Sequence, residues 1–294
     1  TFAGAMNYIY ERQPLIVIFE NVETAPWQST IDYVFPLCGY IATFVSLDTK
    51  NYYLPQTRCR KYLIAFSQDA FTPDGAKALC KAFQEAIKKM EQRYSSSVTD
   101  FLLPINSHEL HRARNEMELM AQSSREKDTD WSFSRSRHTA FRRLYQIPDE
   151  RPWIRWSERG SSRAPAKMWK PWEAKQTNRV SDLLECVFLI AVFGRNTKHS
   201  AYDPRHKAQI IDCSQNVDRV NMATAFGATG CLTPSAIPVL TLEARPITGS
   251  EALKLQGLPI ESFDMSSETQ TQLQDLAGNA MTTTVVGAVI LAAL

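Results

Sequence analysis

The sequence predicts an α/β fold, with a buried strand and alternating helices and strands near its start and a region of different composition further along. Three observations lead there. Pro14-Leu15-Ile16-Val17-Ile18-Phe19-Glu20-Asn21-Val22 is an apolar run opened by a proline, and its β-branched residues fit a buried central strand of a parallel sheet better than a helix. Helical and strand patterns alternate over residues 1–66. Between residues 131 and 179 the composition changes, gathering arginine, lysine, tryptophan and proline.

Taken in order, residues 1–13 set Phe2, Met6, Ile9 and Tyr10 at helical spacing, and Pro14 ends that helix because it has no amide hydrogen to continue the ladder. The strand that follows delivers Glu20 and Asn21 to its carboxyl end, where open α/β sheets hold their ligands. Trp27 to Phe35 again has helical spacing, with Gly39 placed to cap it. Tyr40 to Val45 reads as a second strand. A polar break at Asp48-Thr49-Lys50-Asn51 and the segment Tyr52 to Arg60 lead to a third, Lys61 to Phe66, which makes an antiparallel pair at one edge of the sheet. Residues 73–94 form an amphipathic helix with Leu79, Phe83, Ala86, Ile87, Met90 and Tyr94 on its packing face. A more polar helix runs from Ser107, its cap, to Gln122, and residues 123–130 read as an exposed loop. Val180 to Phe193 is apolar and packs beneath the basic region as helix or strand. A helix over residues 282–294 closes the chain.

With 294 residues and 44% hydrophobic content, the chain can bury the core of one large domain or two ordinary ones. Its formal charge of +2 is unevenly spread. Residues 131–179 hold 12 basic and 4 acidic side chains, a net +8 that leaves −6 for the remainder. A polyanion-facing segment on a mildly acidic body follows. Trp131, Trp153, Trp156, Trp169 and Trp172 are interleaved with these cations, and they divide between stacking on bases and anchoring proline-rich loops. The six cysteines are scattered, with no C-x-x-C pair and no His at zinc-ligand spacing, so reduced thiols in an intracellular protein are expected and no metal. No signal peptide opens the chain, and the longest apolar stretch, Val285 to Leu294, is too short for a bilayer, so no membrane partner is expected. A first residue other than methionine points to a piece of something larger.

Four segments stand in a fixed order: Glu20-Asn21-Val22, then Gln56-Thr57-Arg58-Cys59-Arg60, then Arg245 to Pro259 with its Thr248, Glu251, Ala252, Leu255, Gln256 and Gly257, and finally Gly278-Asn279-Ala280-Met281. Any one is weak, but together they resemble the DNA cytosine-5 methyltransferase family. The resemblance implies a partial Rossmann-like, S-adenosylmethionine-dependent methyltransferase sheet plus a mixed α+β target-recognition domain. Residues 1–66 would be the C-terminal half of the catalytic domain, 67–240 an insertion and target-recognition region, and 241–294 the returning catalytic segment. The wording of residues 273–287 looks closest to a fungal and algal lineage in which the methyltransferase precedes a Swi/Snf-type ATPase and acts as a maintenance enzyme.

Carbon 5 of cytosine is a poor nucleophile. The family therefore adds a cysteine thiolate to carbon 6, giving an enamine that takes the methyl group of S-adenosylmethionine. By resemblance Glu20 serves ring nitrogen 3 as a general acid, Asn21 helps hold loop and base, and Arg58 and Arg60 orient Glu20 or meet the cytosine oxygen or a phosphate. The base must leave the duplex to reach them. Asn279 and Ala280 would bind the cofactor. Gln56, Arg135, Arg137, Arg142, Arg143 and Thr233 would contact double-stranded DNA. The sequence departs from the family in two ways. Tyr53 stands where many relatives have glycine. The Pro-Cys-Gln nucleophile loop and the Phe-x-Gly-x-Gly cofactor loop do not occur in these 294 residues. Of the cysteines present, Cys59, between two arginines, is the one whose pKa the sequence would lower.

The resulting expectation is part of a nuclear DNA cytosine-5 methyltransferase, inactive until joined to the missing N-terminal catalytic half, with an ATPase domain in the same protein as a further partner. Two alternatives stay open. One is a non-catalytic DNA-binding or regulatory relative; the other is a transfer-RNA cytosine-5 methyltransferase, which the long segment before Arg245 disfavours.

Overall fold

The computed structural model describes residues 2–123, 131–156, 165, 167–193, 205–219 and 227–294. They form two compact units. One comprises residues 1–54, 58–95 and 281–294, the other residues 55–57 and 96–280. This division differs from the three consecutive segments read from the sequence, since residues 67–95 stay with the first unit and 241–280 with the second.

In the first unit α1 (Phe2–Arg12) leads into β1 (Ile16–Val22). Then α2 (Trp27–Ser29), a π-helical turn (Thr30–Val34) and α3 (Phe35–Leu37) form one helical stretch, closed by Gly39 at φ +80. β2 (Tyr40–Asp48) and β3 (Cys59–Ser67) follow, then α4 (Pro73–Lys89). The strand order is β1-β3-β2, antiparallel throughout. β2 and β3 thus pair as expected. β1 does not: it is neither parallel to its neighbour nor central, and among the described residues it pairs on one side only.

β3 is the middle strand, and its period of two explains the layers on either side. Tyr62, Ile64 and Phe66 point into a core shared with Cys80, Phe83 and Ile87 of α4 and with Val285, Ala288 and Val289 of α11 (Thr283–Ala293). Leu63 and Ala65 point the other way, against Met6 and Ile9 of α1, Trp27 and Phe35. Helices therefore cover both faces of the sheet. Phe2 and Tyr10, expected on the packing face of α1, are exposed instead. α4 stops at Lys89, so Tyr94 lies beyond it; the amide of Tyr94 bonds the Lys50 carbonyl.

In the second unit α5 (His108–Ser123) starts from Ser107, whose hydroxyl accepts from the Leu110 amide at 3.2 Å. The loop expected after it lies outside the described residues from position 124 onward. α6 (Ser132–Tyr145), α7 (Lys170–Ala174) and α8 (Asn178–Phe193) pack around one core. α8 is buried along nearly its whole length, and Trp153, Trp156, Trp169 and Trp172 pack into the core with it. That corrects the even division of the tryptophans, since four of the five are interior. A small antiparallel sheet, β4 (Ile210–Asp212), β5 (Pro238–Leu240) and β6 (Arg245–Pro246), precedes α9 (Gly249–Leu255) and α10 (Gln270–Asn279).

The segment Arg245 to Gln256 acts as a clamp inside this unit. Arg245 grips Glu251 with two bonds of 2.8 Å, and Glu251 also accepts from the Leu103 amide at 2.9 Å and from Thr248. Gly278 supplies a different kind of fit, because a Cβ there would collide with the backbone of Thr233 and Pro234. Residues 270–293 are together long and apolar enough to cross a membrane by length and composition. They fold as two helices, α10 and α11, each far below the roughly 20 residues a span requires.

Candidate functional site

In the first unit β1 and β3 bring the first two motifs together. Their register sets Glu20 opposite Tyr62 and Val22 opposite Arg60. Arg60 Nε then lies 3.1 Å from Glu20 Oε1, with the two side chains 18% and 21% exposed. The pair is shielded but not fully buried. Tyr62, which sequence reasoning passed over, is buried beside it. Burial first, and the Glu20 carboxylate second, push its phenol well above the ordinary value, while Arg58 and Arg60 pull the other way. Only the cross-strand register could have found it.

Arg58 is buried one residue before β3, and its position follows from Asp48 at the end of β2. The Asp48 carboxylate accepts from the Arg58 amide at 3.0 Å and holds Lys50 at 2.9 Å. This fastens the turn between the strands. Cys59 does not have a lowered pKa. Partial burial and the Asp48 carboxylate push its thiol up to about 11, which keeps it protonated despite the arginines on either side. Asn21 is exposed and turns its carbonyl oxygen onto the next amide, Val22, at 2.8 Å. It shapes the strand end and is not drawn into the Glu20–Arg60 pair.

In the second unit the candidate DNA contacts fall into two groups. Arg135 and Arg143 lie on the exposed face of α6 and, with Trp131, Ser132, Ser136 and Thr139, line a shallow hollow of about 600 Å³. Arg137 is partly exposed and paired with Asp218. Arg142 is a correction, because it is buried and binds Asp182 at 2.8 Å. His138 Nδ1 lies 2.8 Å from the other Asp182 oxygen, and the Cys186 thiol is 3.7 Å from it. Burial alone would raise the Asp182 carboxyl, but His138 and Arg142 outweigh it and bring it down to about 2. His138, Asp182 and Cys186 are close enough to hold a metal ion. Both Asp182 oxygens are already engaged, so the cluster ties α6 to α8 as an ionic network.

Gln56 is also a correction. Its backbone neighbours pair with Thr229, and its amide is wholly buried, with neither atom hydrogen-bonded among the described residues. Thr233 lines a cleft of about 250 Å³ together with Gln209, Arg219, Thr229 and Cys231. Asn279, at the end of α10, is exposed; its amide nitrogen donates to the Asp275 carbonyl at 3.0 Å. Ala280 caps the helix.

A family model described as C-5 cytosine-specific DNA methylase matches residues 1–293. The chain is 39% identical over its full length to the DNA (cytosine-5-)-methyltransferase DMT5 of Cryptococcus neoformans var. grubii and 33% identical to that of Verticillium dahliae, spanning 12% of the length of each. Among solved structures, the S. pombe Dnmt2 methyltransferase matches 98% of this chain and 71% of its own, with 15% identity and a TM-score of 0.41.

Proposed function

The chain belongs to the C-5 cytosine-specific DNA methylase family, and from that premise we propose that it is the C-terminal catalytic and target-recognition part of an enzyme that methylates carbon 5 of a flipped cytosine in DNA. The observation that carries this is the Glu20–Arg60 pair. Two segments separated in sequence meet at 3.1 Å through antiparallel pairing, leaving a carboxyl group with one oxygen held by a cation. Such a carboxyl can share a proton with ring nitrogen 3 when a thiolate adds to carbon 6. Arg60 fixes its orientation, and the buried Tyr62 stands opposite it across the two strands. Asn21 shapes the neighbouring turn.

Members of the family depend on S-adenosylmethionine, which supplies the electrophilic methyl group when bound. The residues present fit part of it. Asn279 is exposed with its amide nitrogen bonded to its own helix, which leaves its carbonyl oxygen to meet the amino-acid end, with Ala280 beside it. Residues of the Phe-x-Gly-x-Gly and Pro-Cys-Gln types do not occur in this chain, which supports a division of labour with the N-terminal catalytic half and inactivity of these residues alone. The edge of β1 that is unpaired among the described residues suits a strand from that half. On the DNA side, Arg135 and Arg143 are the cations we assign to phosphates, with Arg137 at the margin and Thr233 at a second contact.

Maintenance of CpG methylation, a nuclear location and a Swi/Snf-type ATPase in the same protein complete the proposal. Its test is methyl transfer from labelled S-adenosylmethionine by the complete protein to unmethylated duplex, hemimethylated CpG duplex and transfer RNA. Transfer to hemimethylated DNA above the other two is expected. Transfer to RNA alone, or to none of the three, removes it.

A further inference from the structure

Tyr53 has a backbone conformation that its own side chain disfavours. Its φ of +71 lies in the left-handed region, where a bulky residue costs about 1–3 kcal/mol. The surroundings impose this angle. The Tyr52 amide bonds the Thr49 carbonyl at 2.8 Å, the Tyr53 amide bonds Gln92 at 2.9 Å, and the Gln92 amide returns to Asn51 at 2.8 Å. The Tyr52 carbonyl accepts from the Thr284 hydroxyl at 2.7 Å, and the buried Tyr52 side chain donates to the Ile87 carbonyl at 3.2 Å. Glycine would occupy position 53 without strain. The strain is not offset by packing, for the Tyr53 ring is 56% exposed and has no aromatic or cationic partner among the described residues.

Residues 50–53 and 92–94 run side by side and present Tyr53, the half-buried Tyr94 with the Arg93 guanidinium 6.0 Å from its ring, and Lys50 held on Asp48 at 2.9 Å. Glu91 adds a second acid beside them. Two cations against two acids make no strong electrostatic footprint, so what this surface offers is aromatic faces on a backbone fixed from several sides. We propose that Tyr53 is a stacking platform for an unstacked base of the bound DNA, on a surface of the first unit separate in sequence from the arginines of α6. The inference rests on the DNA-methylating function proposed above. Extrusion of a target base breaks stacking along the duplex, and aromatic side chains that receive exposed base faces contribute about 1–3 kcal/mol each without reading sequence.

The test uses the complete protein with a duplex carrying one extrahelical base and with its fully paired counterpart, at several salt concentrations. Tyr53→Gly is expected to weaken binding of the first duplex about ten-fold and that of the paired duplex less. Tyr53→Phe should bind as wild type, because the ring faces are retained. The salt dependence should not change, and the thermal midpoint of Tyr53→Gly should equal or exceed that of wild type because the strain is gone. If Tyr53→Gly binds the extrahelical duplex like wild type, or Tyr53→Phe is as weak as the glycine variant, the platform is overturned while DNA binding stands. A glycine variant with intact DNA binding and a lowered thermal midpoint makes the ring a packing surface for the rest of the polypeptide, which also overturns it. If wild type binds neither duplex, it is the DNA reading that fails.

Discussion

The two units both set arginine against carboxylate, yet for opposite ends. In the first, Arg60 meets Glu20 at 3.1 Å, with both side chains about a fifth exposed. In the second, Arg142–Asp182 and Arg245–Glu251 are almost wholly buried, and each carboxylate is saturated by further donors: His138 for Asp182, Thr248 and the Leu103 amide for Glu251. Desolvating an ion pair is costly, and a pair stripped of all its water serves to fix which elements pack together. A pair that stays partly exposed can still meet a substrate. Arginine set against a carboxylate thus holds architecture in one unit and, in the function we propose, serves chemistry in the other, and burial is what separates the two.

Removing one partner in each place sharpens the contrast. The largest effect is expected at Glu20. In the complete protein, Glu20→Gln should lower methyl transfer by about 10²–10⁴-fold with DNA affinity and unfolding unchanged. Turnover like that of wild type would take Glu20 out of the mechanism. Asp182→Asn should act on stability, at about 3–5 kcal/mol, because it removes the buried carboxylate that pairs with Arg142 and leaves it only the exposed Asp149 at 3.8 Å among the described carboxylates. The pH dependence has a definite sign. The Asp182 carboxyl is held at about 2 against an ordinary 3.8, so its stabilisation is complete above that ordinary value and is lost as pH falls through about 2. Urea midpoints followed from pH 4 down to pH 2 should show this loss in the wild type and not in the variant; parallel curves would refute the network.

A smaller effect divides the arginines of α6. Replacing Arg135 and Arg143 by glutamine should weaken DNA binding and flatten its salt dependence by about 0.9 for each phosphate left without its cation. Arg142→Gln should lower the thermal midpoint and leave that slope alone. An equal change of slope for all three would mean that α6 presents a different face to DNA.

Much of the first unit was legible because its signals are local. The apolar run before Glu20, the polar break at Asp48-Thr49-Lys50-Asn51 and Gly39 each act within a few residues, and the elements appear where they point. Strand partners are not local. A run such as Ile16 to Phe19 looks the same at the centre of a parallel sheet as at the edge of an antiparallel one, and only β3, more than 40 residues on, decides. The apolar period of α4 runs on to Tyr94, but the chain is drawn away by the backbone of Lys50, a contact no helical period records. Arg142 and the tryptophans misled for a related reason. Composition reports charge and aromatic content without burial, and α8 carries Asp182 and Glu185 inward to receive donors from the region that looked most exposed. The role of Arg245 to Glu251 was hidden too, since a buried clamp and a ligand-binding segment can have the same spelling.

The contact at Gly278 has a mechanical consequence. With no room for even a methyl group between it and the backbone of Thr233 and Pro234, the end of α10 and the turn ahead of β5 cannot slide independently. Asn279 sits one residue past that contact and Thr233 forms part of it, so a shift of the backbone at one has to be accommodated at the other.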